Sequence, residues 1–274
     1  MPLSVSQKQQ PAMFSCQGRR FIVHREAPSA MLGFYWLRMI PLSTIRENLQ
    51  LVRDKLVEAA RRAARKPEEI VLIGVSKTHP ADAIREAYDA GLRHFGENRV
   101  QEWEGKFGAL ADLQGTWHLI GHLQSNKAAR AAKAFHSIDS VDDWSLAQRV
   151  DRAQAEKGTG KKIRVLIEVH MGGEETKSGV AEADLPELAD RIQSLPHLDF
   201  AGLMCIPPFR ENPDEVRPFF GTLRTLKGQL ETRVGRALPV LSMGMSHDFE
   251  AAILEGSTEV RIGTAIFGTR PKPA

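Results

Sequence analysis

Short apolar runs alternate with helical patterns through most of this 274-residue chain, and that alternation constrains the fold more than any other feature. The runs cover residues 70–76, 93–96, 117–120, 135–138, 163–169, 200–205, 240–243 and 260–262. Continuous apolar strands of this kind are buried on both faces, as in parallel sheets covered by helices. Each of the first seven is followed by a helical pattern. The third is followed by residues 125–133 and the fifth by residues 182–195, which Pro196 ends. An amphipathic helix over residues 43–65 precedes them. Ile45, Leu49, Val52, Leu56 and Ala60 fall at helical spacing there, with Ser43 or Thr44 as the cap. Eight βα alternations in this length predict an α/β fold, a single-domain (β/α)8 TIM barrel. The runner-up is an open doubly wound sheet, which the lack of a GxGxxG at the first helix disfavours.

Barrels of this kind build their sites at the C-terminal strand ends. Lys77 follows the first strand and Asn98 the second. His118 lies in the third, Met204 near the end of the sixth. Ser242 and Ser246 close the seventh, and Arg261, Gly263 and Thr264 sit on or just after the eighth. The stretch 241–268 places small and hydroxyl residues at two strand ends, with a short helix over residues 249–255 between them. Glycine lets backbone N–H groups approach an anion, serine and threonine add donors, and helix starts favour negative charge. The pair of clusters predicts a phosphate cup; either alone reads as a tight turn. Lys77, at the mouth of a buried strand, is a candidate amine nucleophile for an aldehyde, although taken singly it reads rather as a surface lysine capping the strand.

These residues carry a resemblance. GVSKT at 74–78, HFGEN at 94–98, WHLIG-LQSNK at 117–127, ETKSG at 175–179, GLM at 202–204 and SMGMS-DFEAA-GSTEVRIGTAIFG across 242–268 together resemble the pyridoxal phosphate homeostasis protein family. The resemblance covers roughly residue 43 to the C-terminus. It implies a barrel of the alanine racemase N-terminal type that binds pyridoxal 5′-phosphate. It also implies cofactor contacts at Lys77, Asn98, His118, Met204, Ser242, Ser246, Arg261, Gly263 and Thr264. Lys77 would form the Schiff base, Ser242, Ser246, Gly263 and Thr264 would hold the phosphate, and Arg261 would face the pyridine nitrogen. An arginine stays charged and only donates, so it keeps that nitrogen unprotonated and the ring a poor electron sink. The implied role is cofactor homeostasis in the cytoplasm, buffering pyridoxal phosphate or delivering it to apo-enzymes, without catalytic turnover and as a monomer. The alternative is a pyridoxal-phosphate-dependent amino acid racemase or lyase. The racemases take a second base, a tyrosine, from an additional β domain. The sequence ends at Ala274 soon after the eighth strand, so that domain is expected to be missing. The tyrosines here are Tyr35 and Tyr88, neither placed for the task.

Several positions depart from the family pattern. Arg99 stands where tyrosine is frequent, His122 for proline, His170 for asparagine and His247 for aspartate. No HExxH pattern accompanies these histidines, so no metal site is expected. Lys177 and Ser178 match the KSG segment and read as a loop beside the mouth. Glu97, Glu102 and Glu104 read as a solvated face at a helix start.

Composition adds limits. The net charge of +3 arises in the first 43 residues, which hold Lys8, Arg19, Arg20, Arg25 and Arg38 against Glu26. The remainder has 32 basic and 33 acidic residues, so the basic pI argues for no nucleic acid partner. Cys16 and Cys205 form no zinc or disulfide pattern, and Cys205 reads as a buried thiol. The apolar run at 30–37 is too short to span a bilayer, and no membrane partner is expected. Residues 1–42 read as a disordered extension, or as translation begun upstream of Met39, and residues 43–274 as the barrel.

Overall fold

The computed structural model describes residues 12–16, 19–23, 40–41, 44–172 and 178–269. The chain divides into two units, Met1–Thr44 and Ile45–Ala274. In the first, strands Ala12–Cys16 and Arg19–Val23 pair antiparallel, and Ile40–Pro41 pairs antiparallel with the second of them. The greater part of the expected extension lies outside the described residues.

The second unit opens with helix α1 (Ile45–Arg62), which buries Leu49, Val52, Leu56, Ala59 and Ala60 along one face. Its last turn carries Arg61 and Arg62, where the helix dipole favours cations. Eight parallel strands then close into a barrel: β1 (Val71–Val75), β2 (His94–Glu97), β3 (Thr116–Leu119), β4 (Ser137–Val141), β5 (Ile163–Glu168), β6 (Leu198–Met204), β7 (Val240–Met245) and β8 (Glu259–Ile262). Closure is made by β8 against β1, with Glu259 beside Val71 and Arg261 beside Ile73. The connecting helices are α2 (Ala81–Asp89), α3 (Val100–Leu110), α4 (Ala128–Ala134), α5 (Trp144–Glu156), α6 (Leu185–Gln193), α7 (Arg217–Val234), α8 (Phe249–Leu254) and α9 (Thr264–Phe267). This is the expected TIM barrel. No helix among the described residues is long and apolar enough to cross a membrane.

Two layers of side chains result from the two faces of each strand. Outward residues meet the helices in one large apolar core. Trp103 of α3 packs on Trp117 with ring centroids 3.9 Å apart, and Phe95 stacks on the same Trp117 ring at 4.9 Å. Each such fully buried aromatic contributes roughly 1.5–3 kcal/mol. Inward residues are different. A small apolar group, Leu166, Ala201, Met204 and Val240, shares the barrel interior with buried charges. That polarity explains the largest boundary difference. The apolar run at 135–138 stops before Asp139 and Ser140, whereas β4 continues through both and buries them.

One bulge shapes the interior. Phe200 of β6 pairs with Val165, but Gly202 pairs with Leu166, so Ala201 is the extra residue. A Cβ on Gly202 would lie 1.9 Å from the Val240 carbonyl oxygen, so glycine is what lets β6 and β7 approach there.

Candidate functional site

Parallel strands bring all their C-terminal ends to one rim. Lys77 is two residues past β1 and half-buried, and Asn98 directly follows β2. Met204 ends β6. Ser242 lies in β7, with Ser246 just behind that strand. Arg261 lies in β8, Gly263 follows it, and Thr264 opens α9. Strands β6, β7, β8 and β1 are consecutive neighbours in the barrel, so these residues share one arc of the rim.

The local chemistry on this arc is rich in donors. Ser246 Oγ accepts the N–H of Gly263 at 3.2 Å and of Ala265 at 3.4 Å. An oxygen that accepts twice still has its own proton to give. Arg261 is 3 % exposed; its Nη1 donates to Ser242 Oγ at 2.7 Å and its Nη2 to the Cys205 carbonyl at 2.7 Å. Gly244, at φ +95°, folds the turn against α8, where a Cβ would lie 2.6 Å from that of Ala252. Asp248 pins the turn by accepting the Met245 N–H at 2.6 Å, and burial pushes its carboxyl above the ordinary range. Burial likewise pushes the Cys205 thiol up to about 12, which removes it as a nucleophile.

Beside this arc, Glu168 ends β5 in register with Met204 of β6. Arg164, Leu166 and Glu168 alternate on the inward face of that strand. Glu168 Oε1 accepts Ser178 Oγ at 2.9 Å, while Oε2 is buried with no hydrogen-bond partner among the described residues. Burial raises its carboxyl, with the charge of Asp142 adding to the effect. An orphaned buried oxygen marks a place for a ligand or water atom. Two donor-bearing serines and the N–H groups after β8 suit a phosphate, and Lys77 suits an aldehyde. The residues present therefore fit a phosphorylated aldehyde cofactor.

Of the acidic residues at 97, 102 and 104, the first two are not on the solvated face that their spacing implies. Glu97 is fully buried and accepts Ser76 Oγ at 2.7 Å and Lys106 Nζ at 3.0 Å. Burial raises its carboxyl against the pull of Lys106 and Ser76. Glu102 pairs with Lys106 at 2.9 Å and accepts the backbone N–H of Thr78. Glu104 does lie at the surface, paired with Arg130.

His118 joins a different group. Its Nδ1 lies 3.1 Å from Asp139 and 2.9 Å from Arg164 Nη2, and its Nε2 lies 3.1 Å from His94. Arg164 also donates to Glu259 at 2.6 Å and to Ser137 Oγ at 2.9 Å. His94, Ser137, Arg164 and Glu259 stand at or next to the N-terminal ends of their strands, so this network lies below the rim. His118, Asp139 and Glu259 bring ligand-type atoms within 4.8 Å of one another. The guanidinium of Arg164 is the cation that balances both carboxyls there. Burial and the neighbouring His118 and Arg164 charges lower the His94 imidazole to about 4. A depressed histidine contributes stability above its unfolded value of about 6.5 and loses it as pH falls towards about 4. Thermal midpoints measured between those limits are expected to fall with pH, and a His94→Gln variant is expected to show a shallower slope.

The departing residues are spread around the rim. Arg99 is exposed at the start of α3, and His122 Nδ1 lies 3.2 Å from Asp142. Among the described residues His170 joins no cluster of three ligand-type side chains, and its backbone N–H donates to the Val180 carbonyl. His247 Nε2 donates to the Arg210 and Glu211 carbonyls, and its ring packs on Phe209. Lys177 lies outside the described residues.

A family model described as the alanine racemase N-terminal domain matches residues 40–271. Fold and family model together define a barrel of that class. The pyridoxal phosphate homeostasis protein of Aquifex aeolicus is 47 % identical over 224 residues, 82 % of this chain and 97 % of its own length. PipY of Synechococcus elongatus, solved with PLP bound, is 41 % identical with a TM-score of 0.73, covering 82 % of this chain and all of the other. The chain belongs to the pyridoxal phosphate homeostasis protein family. Alanine racemase of Corynebacterium glutamicum shares the fold alone, with 16 % identity and a TM-score of 0.60 over 81 % of this chain and 61 % of its own.

Proposed function

We propose that the chain binds pyridoxal 5′-phosphate at the rim as a Schiff base on Lys77, and buffers or delivers it in the cytoplasm. What carries this reading is the conjunction of a lysine past β1 with a donor-rich turn pair past β7 and β8 on adjoining strands. When bound, the cofactor supplies an aldehyde that condenses with amines. Ser242, Ser246, Gly263 and Thr264 hold its phosphate, and Arg261 faces its pyridine nitrogen. Asn98 and Met204 complete the contact set, while His118 is held in the network below the rim by Asp139, Arg164 and His94. The Aquifex aeolicus relative, named as a homeostasis protein, and the PLP-bound PipY support the same reading. The partners are the cofactor and the apo-enzymes that receive it, with no nucleic acid and no membrane, and the working form is a monomer. The test is to strip the protein of cofactor and add pyridoxal 5′-phosphate. A saturable absorbance shift supports the reading, and its absence overturns it.

The reading holds that no turnover follows. Arg261 can only donate to the ring nitrogen, and Tyr88 lies on an outer helix beneath the Arg93 guanidinium, 4.1 Å from its ring. The racemase or lyase alternative draws on the shared fold. In heavy water, common amino acids are expected to keep their α-protons in the presence of the loaded protein. Exchange that disappears in Lys77→Ala would establish the enzyme. Residues 1–42 are an extension dispensable to this function, so a chain begun at Met39 is expected to give the same absorbance shift; loss of that shift would assign the extension a role.

A further inference from the structure

Lys77 stands between two backbone groups that α3 holds. On one side the Ser76 carbonyl accepts Lys106 Nζ at 3.0 Å. On the other side the Thr78 N–H donates to Glu102. Glu102 and Lys106 are one helical turn apart and pair with each other at 2.9 Å. Lys106 is anchored in turn by Glu97, which is fully buried and also takes the Ser76 hydroxyl. Thr78 has φ +65°, a left-handed conformation that a β-branched residue adopts only when its surroundings impose it. His79, next along, packs its ring on Phe267 of α9, 5.2 Å between centroids. The turn is therefore gripped at the peptide before Lys77, at the peptide after it, and again one residue later.

We propose that Glu102 and Lys106 are positioning residues for Lys77: they hold its turn in an unfavourable backbone conformation so that the amine meets the aldehyde at a fixed approach. This rests on the reading that Lys77 forms the Schiff base. In that step the unprotonated Lys77 Nζ adds to the aldehyde carbon, a C=N bond replaces C=O, and the carbonyl oxygen leaves as water. No oxidant or reductant enters. Neither Glu102 nor Lys106 belongs to the phosphate cup. Their loss should slow the covalent step and spare the preceding non-covalent capture, because a lysine free to swing spends less time in a reactive orientation.

The test is rapid mixing of the stripped full chain with pyridoxal 5′-phosphate, read by absorbance over a series of concentrations. The first-order limit reports the covalent step, and the half-saturating concentration reports capture. Glu102→Ala is expected to lower the first-order limit about tenfold while moving half-saturation by no more than about twofold. Glu102→Gln is expected to restore most of the rate, because its amide oxygen still accepts the Thr78 N–H. Lys106→Met, which releases the Ser76 side, gives the same split by an independent route should Glu102→Ala fold poorly. An unchanged first-order limit in Glu102→Ala and Lys106→Met would overturn the inference. So would a Glu102→Gln variant as slow as Glu102→Ala, or a loss seen in half-saturation alone. A wild-type protein with no absorbance shift would instead count against Lys77 itself.

Discussion

Lys77→Ala is expected to abolish the Schiff-base absorbance while leaving weak, reversible binding of pyridoxal 5′-phosphate. The Lys77 amine is the group in the proposed site that condenses with an aldehyde, and among the described residues the turns after β1, β7 and β8 hold no second lysine. The donors around Ser246 and Gly263 survive the substitution, since their hydrogen bonds run between β7 and β8 and involve no part of the β1 turn. Each charge-assisted bond to a phosphate contributes about 1.5–3 kcal/mol, enough for measurable but weak affinity. Calorimetry should therefore detect binding where the spectrum shows none. A variant that keeps the absorbance band would place the covalent bond on another lysine.

Arg164→Met is expected to be the most damaging substitution inside the barrel. The guanidinium donates to both oxygens of Glu259, at 2.6 and 3.3 Å, and stands 3.6 Å from Asp139. Asp139 is fully buried and Glu259 nearly so. Burial opposes ionisation of Asp139, but His118 and Arg164 hold its carboxyl below the ordinary range; burial and the Asp139 charge push that of Glu259 above it. Removing one partner of a buried pair leaves an uncompensated charge, which costs about 3–5 kcal/mol. For a domain of this size that corresponds to a fall in thermal midpoint of roughly 6–20 °C. The loss should shrink as pH is lowered, because the stranded carboxyls then take up protons. A midpoint within about 2 °C of the parent would show that the network contributes little.

The alternation of apolar runs and helical patterns made the barrel legible, because outward strand faces and helix faces are apolar wherever they meet. The interior was not legible in the same way. Asp139 and Ser140 look like the end of a strand, yet they are buried in the middle of one, since the barrel interior is lined by charges that satisfy one another. Arg164, in an otherwise apolar run, was the signal of that lining. The rim was legible through Lys77, Ser246 and Gly263, whose places follow from strand ends. His118 reads as a rim residue from its motif, whereas its strand position turns it towards Asp139 and Arg164. Glu97 and Glu102 read with Glu104 as a solvated face, and Lys106 carried no signal, because helical spacing says which side chains neighbour each other and is silent on backbone groups of a preceding turn. Glu168 carried no signal beyond its place as the last residue of an apolar strand; its orphaned oxygen exists only in three dimensions.

Borohydride reduction followed by peptide mapping tests the central claim most directly. Reduction converts the C=N bond to a stable secondary amine and fixes the cofactor wherever it is attached. The account predicts one modified peptide, containing Lys77, and none in Lys77→Ala. A reduced adduct on any other lysine, or no adduct from a protein that holds pyridoxal 5′-phosphate, would contradict it.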